Sequence, residues 1–375
     1  ANNSVAYKGK PEMGTFMREW VSLYESKSGE RGIFNRKAAK EQAAKNGRRD
    51  ADQDFGCNPC SEIILRPYQF CNLSEVVVRA SDTQQTLTEK VRLATILGTF
   101  QSTLTDFKYL RNVWKKNTEE ERLLGVSLTG IMDNAMMSGK SAHLGMNIGA
   151  TLNALKEQAI TTNAVMAEQL GIPQSAAITC VKPSGTVSQL VDSASGIHAR
   201  HNPYYVRTVR GDNKDPLTQF MISAGVPSEP DVMKPDSTTV FSFPMKSPHG
   251  AVTRFDMSAI EQLELWLLYQ RHWCEHKPSV TISVKEHEWM EVGSWVYEHF
   301  DEVSGISFLP FSEHTYKQAP YQDCTVEEYG EMLNKMPKSI DWTWLQDYEK
   351  EDTTSGGREL ACTADACEVV DLNAA

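Results

Sequence analysis

Segments with helical apolar spacing alternate along this chain with short β-rich runs, and that alternation constrains the fold more than any other feature. The stretches MREWVSLYES, LATILGTFQSTL, TLNALKEQAITTNAVMAEQLGIP and MSAIEQLELWLLYQRHW carry apolar residues three and four apart, the third closed by Gly171 and Pro173. Between them SEIILR, LGVSLTG, AAITCV, TTVFSF and PSVTISV read as short buried strands. This order predicts an α/β architecture. With 375 residues, 40% of them hydrophobic, the chain can bury a large core. The basic segment NRKAAKEQAAKNGRRD predicts a solvated helix face, with an anionic partner as the alternative.

A net charge of -11 argues against a nucleic-acid polymer as partner, since phosphate backbones are held by surplus Lys and Arg. No apolar run reaches the roughly 18 residues of a membrane span, and ANNSVAYKGKPEMG lacks the features of a signal peptide. Together these predict a cytoplasmic protein with no membrane contact. In a reducing compartment, eight cysteines are more often catalytic or metal-bound than paired as structural disulfides. Cys57, Cys60 and Cys71 cluster in GCNPCSEIILRPYQFCNL, whereas Cys180, Cys274 and Cys324 stand alone and read as core thiols.

The last thirty residues differ in kind. EKEDTTSGGRELACTADACEVVDLNAA is acidic and poor in large apolar residues, so it reads as a mobile tail with Thr353 to Gly357 as its linker. A dithiol at Cys362 and Cys367 on such an arm suits the carriage of electrons from the surface to a buried site. In TCVKPSGTVSQL a β-rich run stops at Pro183, and Ser184, Gly185, Thr186, Val187 and Ser188 follow. Backbone N–H groups there could cradle a phosphate, although an ordinary strand-to-helix turn has the same composition. Lys182, Arg207 and Arg210 lie near in sequence, but spacing alone leaves open whether they converge.

These motifs resemble the adenosylcobalamin-dependent (class II) ribonucleotide reductases, of the monomeric ribonucleoside-triphosphate reductase type. The resemblance rests on NPCSE with Cys71 beyond it, KPSGTVSQL followed by SGIHARHNPYYVRTVR, KPSVTISV, GISFLPFSEHTYKQAPYQ and the terminal CTADAC, spread over nearly the whole chain. It implies the second half of a ten-stranded α/β barrel with a central radical-bearing loop, over residues 1–345, and a flexible redox tail over 346–375. By that resemblance Cys60 holds a thiyl radical generated with adenosylcobalamin and takes the 3′ hydrogen of the ribose. Glu62 is then the general base on the 3′ hydroxyl, and Asn58 holds the hydroxyls. Cys71 is one member of the pair that reduces the substrate, and Pro183 to Ser188 bind its phosphates. Cys362 and Cys367 become the shuttle pair, recharged by thioredoxin or a similar protein. No metal site among the side chains is implied.

The residue chemistry agrees with those roles. A thiol yields its hydrogen atom reversibly, a carboxylate is basic at neutral pH, and two thiols are a two-electron reductant. Cys57 receives no role and reads as a packed neighbour. Only 59 residues precede Cys60, where the family has a long segment carrying the first half of the barrel and the partner of Cys71. The expectation is therefore a carboxy-terminal half that works with an amino-terminal half. The competing expectation is a zinc-stabilised binding protein using Cys57, Cys60, Cys362 and Cys367, which explains Cys57 but leaves Glu62 and Cys71 without a purpose.

Overall fold

The computed structural model describes residues 4–29, 31–140, 147–311, 317–350, 359–363 and 366–369. The described residues within 2–200 and 249–311 form one compact unit, and those within 201–248 and 312–375 form another.

In the first unit the strands Asn72–Val77, Leu124–Thr129 and Thr179–Cys180 pair in parallel. A parallel bridge from Val181 to Pro278 carries the series on to Thr281–Val284, which pairs in parallel with Gly305–Pro310. Gly32–Asn35 then joins antiparallel, and Val5–Tyr7 completes that edge. Every residue of Leu124–Thr129 is buried, as a central parallel strand covered on both faces requires. The connections are helices with clear local signals. Gln84–Gln101 starts at a capping box on Thr83, and Ala259–His272 starts at one between Ser258 and Glu261. Ile148–Leu170 begins under the Asn147 cap and stops at Gly171 in the left-handed conformation. Trp266, Tyr269 and Trp273 are wholly buried in the shared core. No described helix is long and apolar enough to cross a membrane.

The mixed α/β expectation therefore holds, with local differences. SEIILR is a strand only over Ile64–Leu65, because Ser61 takes φ 69 and turns the chain. The basic segment is not merely a solvated face. Its helix, Arg36–Ala44, buries Ala38, Ala39, Gln42 and Ala43, and the two arginines after it are drawn into ion pairs. Arg48 meets Glu275 at 2.6 Å, and Arg49 meets Glu121 at 2.9 Å with its own side chain fully buried. Small residues on one helix face allow that close packing, and the carboxylates offset the buried charge.

The second unit is built on an antiparallel sheet in the order Tyr321–Asp323, Tyr204–Asp212, Thr238–Lys246, Ser228–Pro230. Near the carboxy terminus the backbone of Glu359–Thr363 pairs antiparallel with Ala366–Val369, and the register sets Cys362 opposite Cys367. The expected linker, Thr353 to Gly357, lies outside the described residues.

Candidate functional site

The strands Gly56–Cys57 and Ile64–Leu65 pair antiparallel, so residues 58–63 form the loop of a hairpin. Asn58 closes it twice: its carbonyl accepts the Ser61 N–H at 2.8 Å, and its Oδ1 accepts the Ile63 N–H at 3.0 Å. Ser61 sits in the left-handed region, at a cost of about 1–2 kcal/mol for a residue with a Cβ. Cys60 is consequently exposed while Ser61 and Glu62 are buried, Glu62 at 1% exposure. The Glu62 Oε2 has no hydrogen-bond partner among the described atoms.

The loop rests on a segment more than two hundred residues away in sequence. Ser279 Oγ donates to the Cys60 carbonyl, and the Lys277 N–H donates to the Glu62 carbonyl at 3.2 Å. Lys277 Nζ donates to Ser61 Oγ. Behind them His276 Nδ1 accepts the Ile64 N–H at 3.3 Å, and its Nε2 bonds the Leu124 carbonyl at 2.9 Å. Both bonds together require the neutral ring with its proton on Nε2. Burial, reinforced by the Arg49 charge, holds that imidazole down at about 3.

Cys71 immediately precedes the strand Asn72–Val77. Burial pushes its thiol well up, and the Glu62 charge pushes it further, so Cys71 is a protonated thiol at neutral pH. That coupling shows that the structure brings Cys71 into the neighbourhood of Glu62. The approach to Cys71 is stiffened by Gln69, which lies between Arg49 and Glu121 and accepts the Arg66 N–H at 3.1 Å. Cys57 packs against Phe34, Ala39, Ala43, Phe55 and Ile64, in keeping with a packed neighbour. Cys180 and Cys274 are core thiols as expected, but Cys324 is only half-buried, because it follows the edge strand of the smaller sheet.

The stretch Pro183 to Ser188 leaves the sheet directly after the Val181 bridge. Ser184 is buried with φ 56, and its hydroxyl sits beside Glu75 without completing a hydrogen bond of good geometry. A Cβ on Gly185 would meet nothing within 4 Å, so the loop is open there, and one helical turn, Val187–Leu190, follows. Gly196 supports the loop from behind: at φ 55, a Cβ on it would lie 2.4 Å from the Lys182 carbonyl. The buried Arg200–Asp133 pair at 2.8 Å holds the return segment, with Asp133 Oδ2 also accepting the Ala194 N–H at 2.9 Å.

Glu75 and His276 lie outside the motifs read from the sequence, and Lys277, Ser279 and Gly196 lie within KPSVTISV and SGIHARHNPYYVRTVR without any sign there that they support the loops. Burial pushes the Glu75 carboxyl up, with Ser184 and Lys182 opposing. Of the cations considered for the phosphate, Arg210 is held by Asp231 at 2.7 Å, and Arg207 lies over the Tyr321 ring at 4.4 Å, both within the smaller unit. Among the described residues no three His, Cys, Asp or Glu side chains group as a metal centre requires.

No protein-family model matches the chain. Proteins named adenosylcobalamin-dependent ribonucleoside-triphosphate reductase do align with most of it. The one from Euglena gracilis is 28% identical over 318 residues, 84% of this chain and 42% of that protein. The one from Levilactobacillus brevis is 27% identical over 370 residues, 91% of this chain and 48% of that protein. The chain thus spans about half the length of the curated relatives it matches. In structure it resembles a B-12 dependent (class II) ribonucleotide reductase, with a TM-score of 0.73, 22% identity, and coverage of 93% of this chain and 52% of the other. The class Id ribonucleotide reductase alpha subunit of Actinobacillus ureae follows at a TM-score of 0.55 and 12% identity, over 82% of this chain and 64% of that one.

Proposed function

We propose that this chain carries the radical and substrate site of an adenosylcobalamin-dependent reductase that converts ribonucleoside triphosphates to 2′-deoxyribonucleotides for DNA synthesis. The observation that carries this reading is the hairpin: an exposed Cys60, a buried Glu62 with an unpaired oxygen, and Cys71 within the reach of the Glu62 charge. Cys60 is an exposed residue of the hairpin loop, which suits a thiol that must be met by adenosylcobalamin from outside this chain. When bound, that group supplies the unpaired electron, which no side chain can start unaided.

The chain's own residues do the rest. Cys60, as a thiyl, takes the 3′ hydrogen atom of the ribose and later returns one. Glu62 accepts the 3′ hydroxyl proton. Asn58 keeps its Oδ1 in the loop, which leaves its amide N–H groups for the substrate hydroxyls. The 2′ hydroxyl departs as water with one proton and C2′ gains a hydrogen in its place, the two electrons and both hydrogens coming from Cys71 and a second cysteine, which become a disulfide. Pro183 to Ser188 receive the triphosphate through backbone N–H groups, with Gly185 open to it.

The five parallel strands from Asn72–Val77 to Gly305–Pro310 are in this reading half of a ten-stranded barrel. The other half, with the partner of Cys71, comes from an amino-terminal region matching the rest of the relatives' length. Cys362 and Cys367, opposite each other in the backbone register, form the shuttle that thioredoxin or a similar protein recharges. A cytoplasmic setting goes with such a reductant. The test is deoxynucleotide formation from ribonucleoside triphosphate by the complete enzyme. Product that depends on adenosylcobalamin and a dithiol supports the proposal, and its failure to form in the presence of both refutes it.

A further inference from the structure

Among the described residues Lys277 is the one lysine that ranks with the largest fully buried side chains, at 0% exposure. Its ammonium lies under the radical loop rather than in an outer ion pair. Nζ donates to Ser61 Oγ, and the charged or titratable groups that face it are Cys57 on the hairpin strand, Glu62 in the loop and Cys274 at the end of the helix Ala259–His272. The backbone of Lys277 is fixed as well: its N–H bonds the Glu62 carbonyl at 3.2 Å, and its carbonyl accepts the Val181 N–H at 3.3 Å. Space for the ammonium is made by Gly305, where a Cβ would lie 2.1 Å from Nζ and 2.8 Å from Ser61 Oγ. An unpaired ammonium in this position would be costly, so the loop and the lysine are built for each other.

We propose that Lys277 is a positioning residue for the radical loop: its ammonium holds Ser61 in the left-handed turn, offsets the buried Glu62 charge, and so sets the Cys60 thiol in place. The role rests on the reductase reading for its catalytic meaning, but the loop geometry it controls is independent of it. Burial brings the Lys277 ammonium down to about 8, with Cys57, Glu62 and Cys274 opposing that fall. The sign follows: the ammonium is present below about pH 8 and is lost as the pH rises past it.

Two variants remove the contact by different routes. Lys277→Met deletes the charge, and Gly305→Ala leaves the lysine but drives its ammonium off Ser61. In the complete enzyme each should lower kcat about 10- to 100-fold, the scale of a misplaced reacting group, with KM for the nucleotide little changed. Wild-type kcat should fall above about pH 8, and Lys277→Arg, which stays charged, should remove that alkaline fall. Independently of turnover, hydrogen exchange over residues 58–64, corrected for its intrinsic pH dependence, should quicken in Lys277→Met and Gly305→Ala. It should also quicken in the wild type above that pH. Loop exchange equal to wild type in both variants overturns the proposal, as does an alkaline fall that persists unchanged in Lys277→Arg. If the wild type makes no deoxynucleotide, the reductase reading falls, and the exchange measurement still decides whether Lys277 sets the loop.

Discussion

Lowering the pH should weaken the hold of His276 on the hairpin that carries Cys60. The ring accepts from the Ile64 N–H and is bonded to the Leu124 carbonyl, an arrangement that needs it neutral. Its folded-state value, about 3, lies below the ordinary 6.5, so the stabilisation is complete above the unfolded value. As the pH falls below that, the unfolded chain takes up a proton that the folded one refuses. Stability then declines by about 1.4 kcal/mol per pH unit, until the folded ring titrates in turn. Near pH 5 the loss relative to neutral pH is about 2 kcal/mol. Urea unfolding followed by tryptophan fluorescence at neutral pH and near pH 5 measures it against His276→Gln, whose amide keeps a donor and an acceptor but does not titrate. The other carboxylates contribute equally to both proteins and cancel. The variant should start less stable and lose about 2 kcal/mol less on acidification. Parallel pH dependence in the two proteins, or an imidazole seen by NMR to titrate near 6.5, refutes the reasoning.

Glu62→Gln in the complete enzyme should slow the chemical step by about 10²-fold or more, the usual scale for a positioned general base, and nucleotide binding measured by equilibrium methods should remain. Cys362→Ser or Cys367→Ser should stop multiple turnover with thioredoxin while a small dithiol such as dithiothreitol still supports it, because one remaining thiol cannot resolve a mixed disulfide. Equal loss with both reductants would instead place the pair in the catalytic step. Gly196→Ala should raise KM for the nucleotide, because its Cβ would meet the Lys182 carbonyl at 2.4 Å and move the Pro183 to Ser188 stretch; unchanged steady-state kinetics would separate that stretch from the substrate.

Much of the architecture was legible in the sequence, because its signals are local. Gly171 and Pro173 sit beside the end of the helix they close, and the apolar run of Leu124–Thr129 reads as a buried strand. The hairpin that carries Cys60 was harder. SEIILR has the composition of a strand, and nothing in it marks the left-handed Ser61 that converts its first half into a loop. The contacts that support the loop were hidden, since His276, Lys277 and Ser279 meet it across more than two hundred residues of chain, although the last two lie in the quoted KPSVTISV. Distance in sequence likewise disguised Arg48 and Arg49, which read as solvated until Glu275 and Glu121 are placed beside them. The candidate residues Cys60, Glu62 and Cys71 could be named because their pattern resembles that of a family, whereas the contacts around them appear only in three-dimensional packing.

The account turns on the sulfur of Cys60, and replacing that one atom tests it most directly. In the complete enzyme with adenosylcobalamin, ribonucleoside triphosphate and a dithiol, Cys60→Ser keeps the volume and the hairpin bonds of the loop but removes the atom that exchanges hydrogen with the ribose. The account predicts nucleotide binding close to wild type and no deoxynucleotide formed. Turnover by Cys60→Ser comparable to wild type would contradict it.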